Sequence, residues 1–431
     1  VRSLAILSMH TSPLAQPGSG DGGGMNVYVR ELSAALARGG VNCEVFTRAW
    51  DSGQPPVVAV EPGFRVHHVV AGPLAPVAKE DLPALVDEFT KGVAARLADL
   101  RSAGHVVDAL HANYWLSGIS GHILKHELGV PLLSTFHTLD RVKAEASLEE
   151  LVAVGGLHRE LAEAQVIGCS DAVLASCTVE ADQLVELYGA DPSRIEIVAP
   201  GVDRAFFSPG DYAQARRAIG FPPDRPLLLF VGRIQPLKAL DLAVGATAEV
   251  VAGPSSKAFY RRGGGQQRLA DASLVVVGGP SGPHGDEELR RVRGLIDGLG
   301  LTPRVRFVPP RGHEMLSTFY RAADVVIVPS RSESFGLVAL EASACGVPVV
   351  ASAVGGLTTL VDHGRTGYLV EDRDPSAFGQ RVASILSDPG LALSMSRAAS
   401  RRSAPYTWTV AADRLRSLYR DLTERSLVEC R

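Results

Sequence analysis

VVIVPSRSESFGLVALEASACGVPVVASAVGG, residues 325–356, is the stretch whose reading decides the fold. It opens on a short apolar run, Val325 to Val328, closed by Pro329 and Ser330, the pattern of a buried strand. A polar loop follows. Ser334 then starts an apolar-periodic segment that Gly346 stops, which predicts a helix. A second apolar run, VPVVAS, ends in the turn Val354-Gly355-Gly356. Strand, loop, helix, strand is the unit of a parallel α/β sheet. Glu333 lies in the loop and Glu341 on the helix, eight positions on. A ligand along this helix N-terminus could give a phosphate to backbone N–H groups and hydroxyls to both carboxylates. By itself the spacing is equally that of two surface glutamates suited to the helix dipole.

The same alternation runs outward in both directions. Upstream, strands are predicted at Leu4–Met9, Asn42–Thr47, Val66–Ala71, Val106–His111, Pro131–Thr135 and Ala172–Ala175, with helices over 25–38, 82–100, after Trp115, and 157–167. A boundary falls at Ala199-Pro-Gly-Val-Asp203. Beyond it the alternation restarts at Leu227–Val231 and continues through Leu274–Val277, Val305–Val308, Val347–Ala351 and Tyr368–Val370. The expectation is an α/β protein of two doubly wound, Rossmann-like domains, 1–203 and 204–405, with ligands between them at the strand C-termini. The segment 406–431 holds a last helix, about 409–422, expected to pack back on the first domain. Residues 253–267 interrupt a helix with Arg-Arg-Gly-Gly-Gly and predict a solvated surface loop.

Composition narrows the class. At 431 residues, 46% hydrophobic and 21% charged, the chain is that of a globular protein with more than one core. A net charge of −4 argues against a nucleic-acid binder working by bulk charge. No apolar run reaches membrane-spanning length, and a cytoplasmic location is expected. The cysteines at 43, 169, 177, 345 and 430 are odd in number and scattered, which predicts reduced thiols and no zinc site.

Two further motifs carry chemistry. In Leu227-Leu-Leu-Phe-Val-Gly-Arg-Ile-Gln-Pro-Leu-Lys238, Arg233 and Lys238 follow a strand at the next helix start. Two fixed cations there suit a departing diphosphate, although a pair of surface cations after a strand is common. Gly18-Ser-Gly-Asp-Gly-Gly23 matches the dinucleotide fingerprint, with Glu44 about twenty residues on. The context fails: the glycines do not follow the first strand at once, and Glu44 falls inside strand two. Gly22 to Gly24 read instead as a turn that lets backbone approach a ligand. His137 follows a strand end and has either a structural or a catalytic reading. Arg159 and Glu163 have the spacing of a plain helical ion pair.

These motifs, with Ser8-Met-His-Thr-Ser-Pro13 and Gly23-Gly-Met-Asn26, resemble the retaining glycosyltransferases of the GT-B fold, family four. The resemblance implies a nucleotide-sugar-dependent hexosyltransferase. Gln16, Pro17, Gly24, Arg233, Lys238, Arg311, Glu333 and Glu341 would bind the donor, and Arg233, Lys238, Glu333 and His137 would serve catalysis. Ala239 departs from the family, which has glycine after this lysine. Within the family the chain is similar to the mycothiol-pathway branch, implying UDP-N-acetylglucosamine as donor and 1D-myo-inositol 3-phosphate as acceptor. His10, Asp21, Asn26, Lys79, Tyr114, Thr138 and Arg159 would then line the acceptor site. Sucrose-phosphate-synthase-like and phosphatidylinositol-mannosyltransferase-like activities share every donor motif and stay open, as does a homodimer. No cofactor is expected for catalysis. The resemblance allows one peripheral magnesium on the main-chain oxygens of Tyr320, Arg321 and Ala323.

Overall fold

The computed structural model describes residues 2–18, 22–146, 156–253, 259–262, 265–282 and 284–430. The chain divides into two compact units. One comprises Val1–Ala15, Gly24–Gly201 and Trp408–Arg431; the other comprises Gln16–Gly23 and Val202–Thr407.

The first unit is built on one sheet of eight strands: β1 (Ser3–Leu7), β2 (Asn42–Arg48), β3 (Val57–Glu61), β4 (Phe64–Val69), β5 (Ala109–Asn113), β6 (Leu132–Thr135), β7 (Ala172–Ala175) and β8 (Ile195–Ile197). Their order is β3-β4-β2-β1-β5-β6-β7-β8, and every pair but β3–β4 is parallel. β1, β5, β6 and β7 are buried along their whole length, as parallel strands covered on both faces must be. Two apolar clusters form the cores. One packs Phe89, Val93, Leu124 and Leu132; the other packs Leu32, Leu36, Val45 and Phe64. The helix Trp408–Thr423 joins the second through Trp408, Leu415, Leu418 and Tyr419.

The second unit carries β9 (Leu227–Val231), a hairpin of β10 (Phe259–Arg262) and β11 (Gly265–Arg268), then β12 (Ser273–Val277), β13 (Val305–Val308), β14 (Val325–Val328), β15 (Val349–Ser352) and β16 (Gly367–Val370). Its main sheet is parallel throughout, in the order β13-β12-β9-β14-β15-β16. Both sheets reverse winding direction at one place: between β1 and β5 in the first unit, and between β9 and β14 in the second. Such a switch point leaves a crevice at the strand C-termini that chain connections do not cover.

Three expectations change. The helix of the decisive stretch runs Leu337–Ala344 and does not begin at Ser334. Gly336 precedes it at φ 101°, a conformation reserved for glycine, so the chain cannot enter the helix before that point. Residues 253–267 are not wholly loop: antiparallel pairing of Phe259↔Arg268 through Arg262↔Gly265 makes the hairpin. Nor are all five cysteines free thiols. Cys169 and Cys430 are joined as a disulfide, while Cys43, Cys177 and Cys345 are free and buried. The partners stand 261 positions apart, a separation from which no pairing can be read.

Candidate active site

In the second unit, β9 delivers Arg233 and Lys238 to the switch crevice, and β14 delivers Glu333 from the other side. Lys238 ends a short 3-10 turn, Pro236–Lys238, that β9 feeds. Its Nζ donates to Glu333 Oε2 at 2.6 Å, and Ser330 Oγ donates to the same oxygen at 3.2 Å. Arg331 N, bonded to Leu237 O at 2.8 Å, ties the two loops together. Glu333 is held from behind by the Val354-Gly355-Gly356 turn, where Gly356 N donates to Glu333 O at 3.0 Å. A Cβ on Gly355 would stand 2.0 Å from that carbonyl, so only glycine permits the approach.

Ala239 adopts the left-handed conformation, φ 49° and ψ 51°, between the 3-10 turn and the helix Leu240–Ala252. A turn that glycine makes without strain is made here by alanine at a conformational cost. Arg233 Nη1 donates to Ser281 Oγ at 3.4 Å. The backbone of Gly23 lies against the same guanidinium: a Cβ there would come 3.3 Å from Arg233 Nε. Gln16 is exposed and donates through Nε2 to Pro17 O at 3.4 Å. Arg311 is exposed after β13.

Glu341 is buried on its helix and accepts from Tyr320 Oη at 2.7 Å. Burial pushes its carboxyl up to about 7, against the smaller opposing effect of the Tyr320 bond. At Tyr320, Arg321 and Ala323, the helix His313–Ala322 ends. Ala323 N already donates to Tyr320 O, and Arg216 Nε donates to Ala322 O at 3.1 Å. The adjoining Asp324 carboxylate is taken by Arg216, Tyr212 and Leu227 N. Of the three main-chain oxygens named for a peripheral magnesium, that of Tyr320 thus already accepts one N–H, while hard cations do take carbonyl ligands.

In the first unit the crevice between β1 and β5 gathers most of the remaining candidates. Tyr114 follows β5 and caps the helix Trp115–Leu128 at φ 76°, a strained conformation for a tyrosine. The His10 ring, after β1, stands 4.3 Å from the Tyr114 ring by centroid. Lys79 Nζ lies 4.9 Å and Arg159 Cζ 5.0 Å from that ring, so two cations share one aromatic side chain. Arg159 Nη2 also donates to Thr138 O at 2.8 Å and lies 3.4 Å from Thr138 Oγ1. Its Nε pairs with Glu163 at 2.8 Å, as the helical spacing predicts, and Nη1 approaches Asp140 at 3.3 Å.

His137, at φ 61°, bonds through Nε2 to Asn113 Oδ1 at 2.8 Å and meets the Tyr28 ring edge-on. Burial pushes its imidazole down to about 3, so it is neutral at ordinary pH. Asn26 is buried and donates to Thr11 Oγ1 and Ser12 O, both at 2.6 Å, which locks the loop after β1 to its helix. Gly24 opens that helix, exposed. Asp21 lies outside the described residues. Glu44 sits inside β2, not at its end, and is engaged by Arg65 and by His67 at 2.6 Å.

Sequence reasoning missed Ser330, Ser281 and Asn113. Asn113 ends β5 beside Tyr114, and its buried Nδ2 has no hydrogen-bond partner among the described residues. The strand-end rule that selected Tyr114 reaches it equally. No signal marked the serines.

Comparison with known proteins gives consistent results. Residues 211–402 match the family described as Glycosyl transferases group 1, and residues 23–201 the Glycosyl transferase 4-like domain. The chain is 45% identical over 426 residues to the D-inositol 3-phosphate glycosyltransferase of Acidothermus cellulolyticus, covering 98% of this chain and 91% of that one. Among solved structures it is similar to a sucrose-phosphate synthase from Thermosynechococcus elongatus, with TM-score 0.87, 33% identity, and 98% and 100% of the two chains covered. Anabaena HepE in complex with UDP and glucose shares the fold, with TM-score 0.72 at 17% identity and coverage of 98% and 100%.

Proposed function

Since the chain belongs to the D-inositol 3-phosphate glycosyltransferase family and has the GT-B fold, we propose that it moves N-acetylglucosamine from UDP-N-acetylglucosamine to inositol 3-phosphate. It is a glycosyltransferase, and the donor and acceptor are the proposal.

The Lys238–Glu333 pair in the β9/β14 crevice carries this reading. A sugar diphosphate has the complementary pattern, with anionic oxygens for the ammonium and sugar hydroxyls for the carboxylate. Binding exchanges one ion pair for two charge-assisted contacts. Arg233 joins Lys238 on the diphosphate, whose charge grows as the sugar–phosphate bond breaks. Glu341 accepts from the ribose hydroxyls, and Arg311 lies beside the base. Glu333 is bound to Lys238 and Ser330 and His137 to Asn113, and we assign both to orienting the sugar, with no covalent intermediate. The acceptor hydroxyl attacks from the leaving-group side and gives its proton to a phosphate oxygen, with retention. UDP leaves.

On the acceptor side, Lys79, Arg159, Tyr114 and Thr138 favour a phosphate monoester over a neutral polyol. A sucrose-phosphate-synthase-like activity is the second reading, favoured by the 0.87 TM-score. Steady-state transfer from UDP-N-acetylglucosamine and UDP-glucose to inositol 3-phosphate, free inositol and a hexose phosphate separates the two. The proposal expects N-acetylglucosamine transfer to inositol phosphate and scarcely to inositol. Preference for the hexose phosphate selects the second reading, and equal use of free inositol overturns both.

A further inference from the structure

At the N-terminal ends of β6 and β7, the end of the sheet away from the crevice, four metal-binding side chains come together from three parts of the chain. His122 and His126 stand one turn apart on the last turns of the helix Trp115–Leu128, their rings 5.3 Å apart by centroid. Cys169 ends the helix Gly156–Cys169, and Cys430 lies in the tail after Trp408–Thr423. Donor atoms of His122, Cys169 and Cys430 all lie within 4.8 Å of one another. His126 Nε2 is 3.2 Å and His122 Nδ1 3.8 Å from Cys430 Sγ. Ligand atoms around a tetrahedral zinc with bonds of about 2.0–2.3 Å stand roughly 3.3–3.8 Å apart, the same scale.

The tail is not there by chance. Lys125 Nζ, on the turn that carries both histidines, donates to Val428 O at 2.9 Å, and Val428 N donates to Asp171 Oδ1 at 2.7 Å. The same Nζ donates to Cys169 O at 2.8 Å and to Asp171 Oδ1 at 3.0 Å. One buried ion pair thus fixes the tail two residues before Cys430 and the chain around Cys169.

We propose that Cys169, Cys430, His122 and His126 form a binding site for a soft divalent metal, zinc by the chemistry of its ligands. Two sulfurs and two imidazoles match the structural zinc donor set, and histidines at i and i+4 are a standard helical clamp. The oxidised pair cannot ligate. A small-molecule thiol reductant converts the disulfide to two protein thiols and is itself oxidised to its disulfide; metal then displaces the two thiol protons to solvent. Zinc would pin the tail beside the N-terminal ends of β6 and β7 in the reduced chain, as the disulfide does in the oxidised one.

The full chain, reduced with a phosphine, stripped with a chelator, loaded with zinc sulfate and desalted, is assayed for metal by mass spectrometry. One zinc per chain is expected, with a thiolate charge-transfer band when cobalt replaces zinc. Cys430→Ser should abolish retention, with circular dichroism of the reduced variant checking that the fold is kept. His126→Ala should weaken binding at least by the roughly 10–100-fold that an outer-sphere partner contributes. No zinc on the reduced wild type, or equal zinc on Cys430→Ser, overturns the site and leaves a disulfide clamp only.

Discussion

Lys238 Nζ stands 2.6 Å from Glu333 Oε2, an ion pair that joins two strand ends 95 positions apart in sequence. Both side chains are about one-fifth exposed, so the pair is neither a solvated surface contact nor a sealed one. Each charge holds the other in place.

Removing the lysine should damage chemistry more than binding. Lys238→Ala is expected to lower kcat on the order of 100-fold, because it acts on charge that grows in the transition state. Glu333→Gln should lower kcat too, and the double variant should lose less than the product of the two, since the residues act as a unit. Steady-state kinetics with saturating acceptor measure this. A pure rise in donor KM for Lys238→Ala would refute the leaving-group role.

Glu341 carries a buried carboxyl at a cost in stability. Burial pushes its folded-state carboxyl up to about 7, above its ordinary 4.5. The unfolded chain releases this proton first, so the wild type loses stability as pH rises from about 4.5 to 7, and the penalty is constant above. The shift corresponds to roughly 3 kcal/mol. Glu341→Gln keeps an acceptor for Tyr320 without the charge. Its Tm should equal the wild type's near pH 4.5 and exceed it by pH 8, while its donor KM rises if the carboxylate accepts from ribose. A constant Tm difference across that range would contradict the account.

Much of this crevice was legible in advance because strand and glycine patterns are local. Val325–Val328, Val305–Val308, Ala172–Ala175 and Leu227–Val231 emerge with the bounds their apolar runs predict. Strand β3 went unread although Val57-Val-Ala-Val60 is an apolar run and Pro62-Gly63 marks the turn into β4, which was expected at Val66–Ala71 and runs Phe64–Val69. What no local pattern holds is pairing. The Lys238–Glu333 bond, the Cys169–Cys430 disulfide and the stacking of Lys79 and Arg159 on Tyr114 depend on which strands lie side by side. That information appears only with the sheet order.

Ala239 tests how much the missing glycine matters. Relief of the left-handed conformation gains about 1–2 kcal/mol in Ala239→Gly. Loss of a buried methyl and added chain entropy cost about as much. Tm and kcat should therefore stay near wild type. Ala239→Val, β-branched at φ 49°, should lower both, as thermal melts and initial rates would show.

His137 should leave no mark on the pH profile. Its imidazole is pushed down to about 3 by burial and stays neutral through the working range. His137→Ala is expected to lower kcat by removing the Asn113-bonded ring from the crevice, yet kcat against pH from about 5.5 to 8.5 should keep its shape. Disappearance of an ionisation near 6.5 in the variant would make His137 a titrating base.

The acceptor site offers two cations, and they are not equivalent. Arg159 is committed: it pairs with Glu163 and Asp140, and its Glu163 partner is fully buried. Arg159→Ala leaves the buried Glu163 carboxylate without its cation, held only by Asp140 N and Tyr188 Oη among the described residues, so it should lower Tm as well as raise acceptor KM. Lys79 makes no salt bridge among the described residues and rests over the Tyr114 ring. A phosphate monoester, near two negative charges at neutral pH, would draw its ammonium from the ring at little structural cost. Lys79→Ala should thus raise KM for inositol phosphate about tenfold or more, the scale of one charge-assisted hydrogen bond of about 1.5–3 kcal/mol. Donor KM and Tm should stay near wild type. The same variant should barely change the slow transfer to free inositol. An equal loss with both acceptors would mean that Lys79 shapes the pocket and does not read the phosphate.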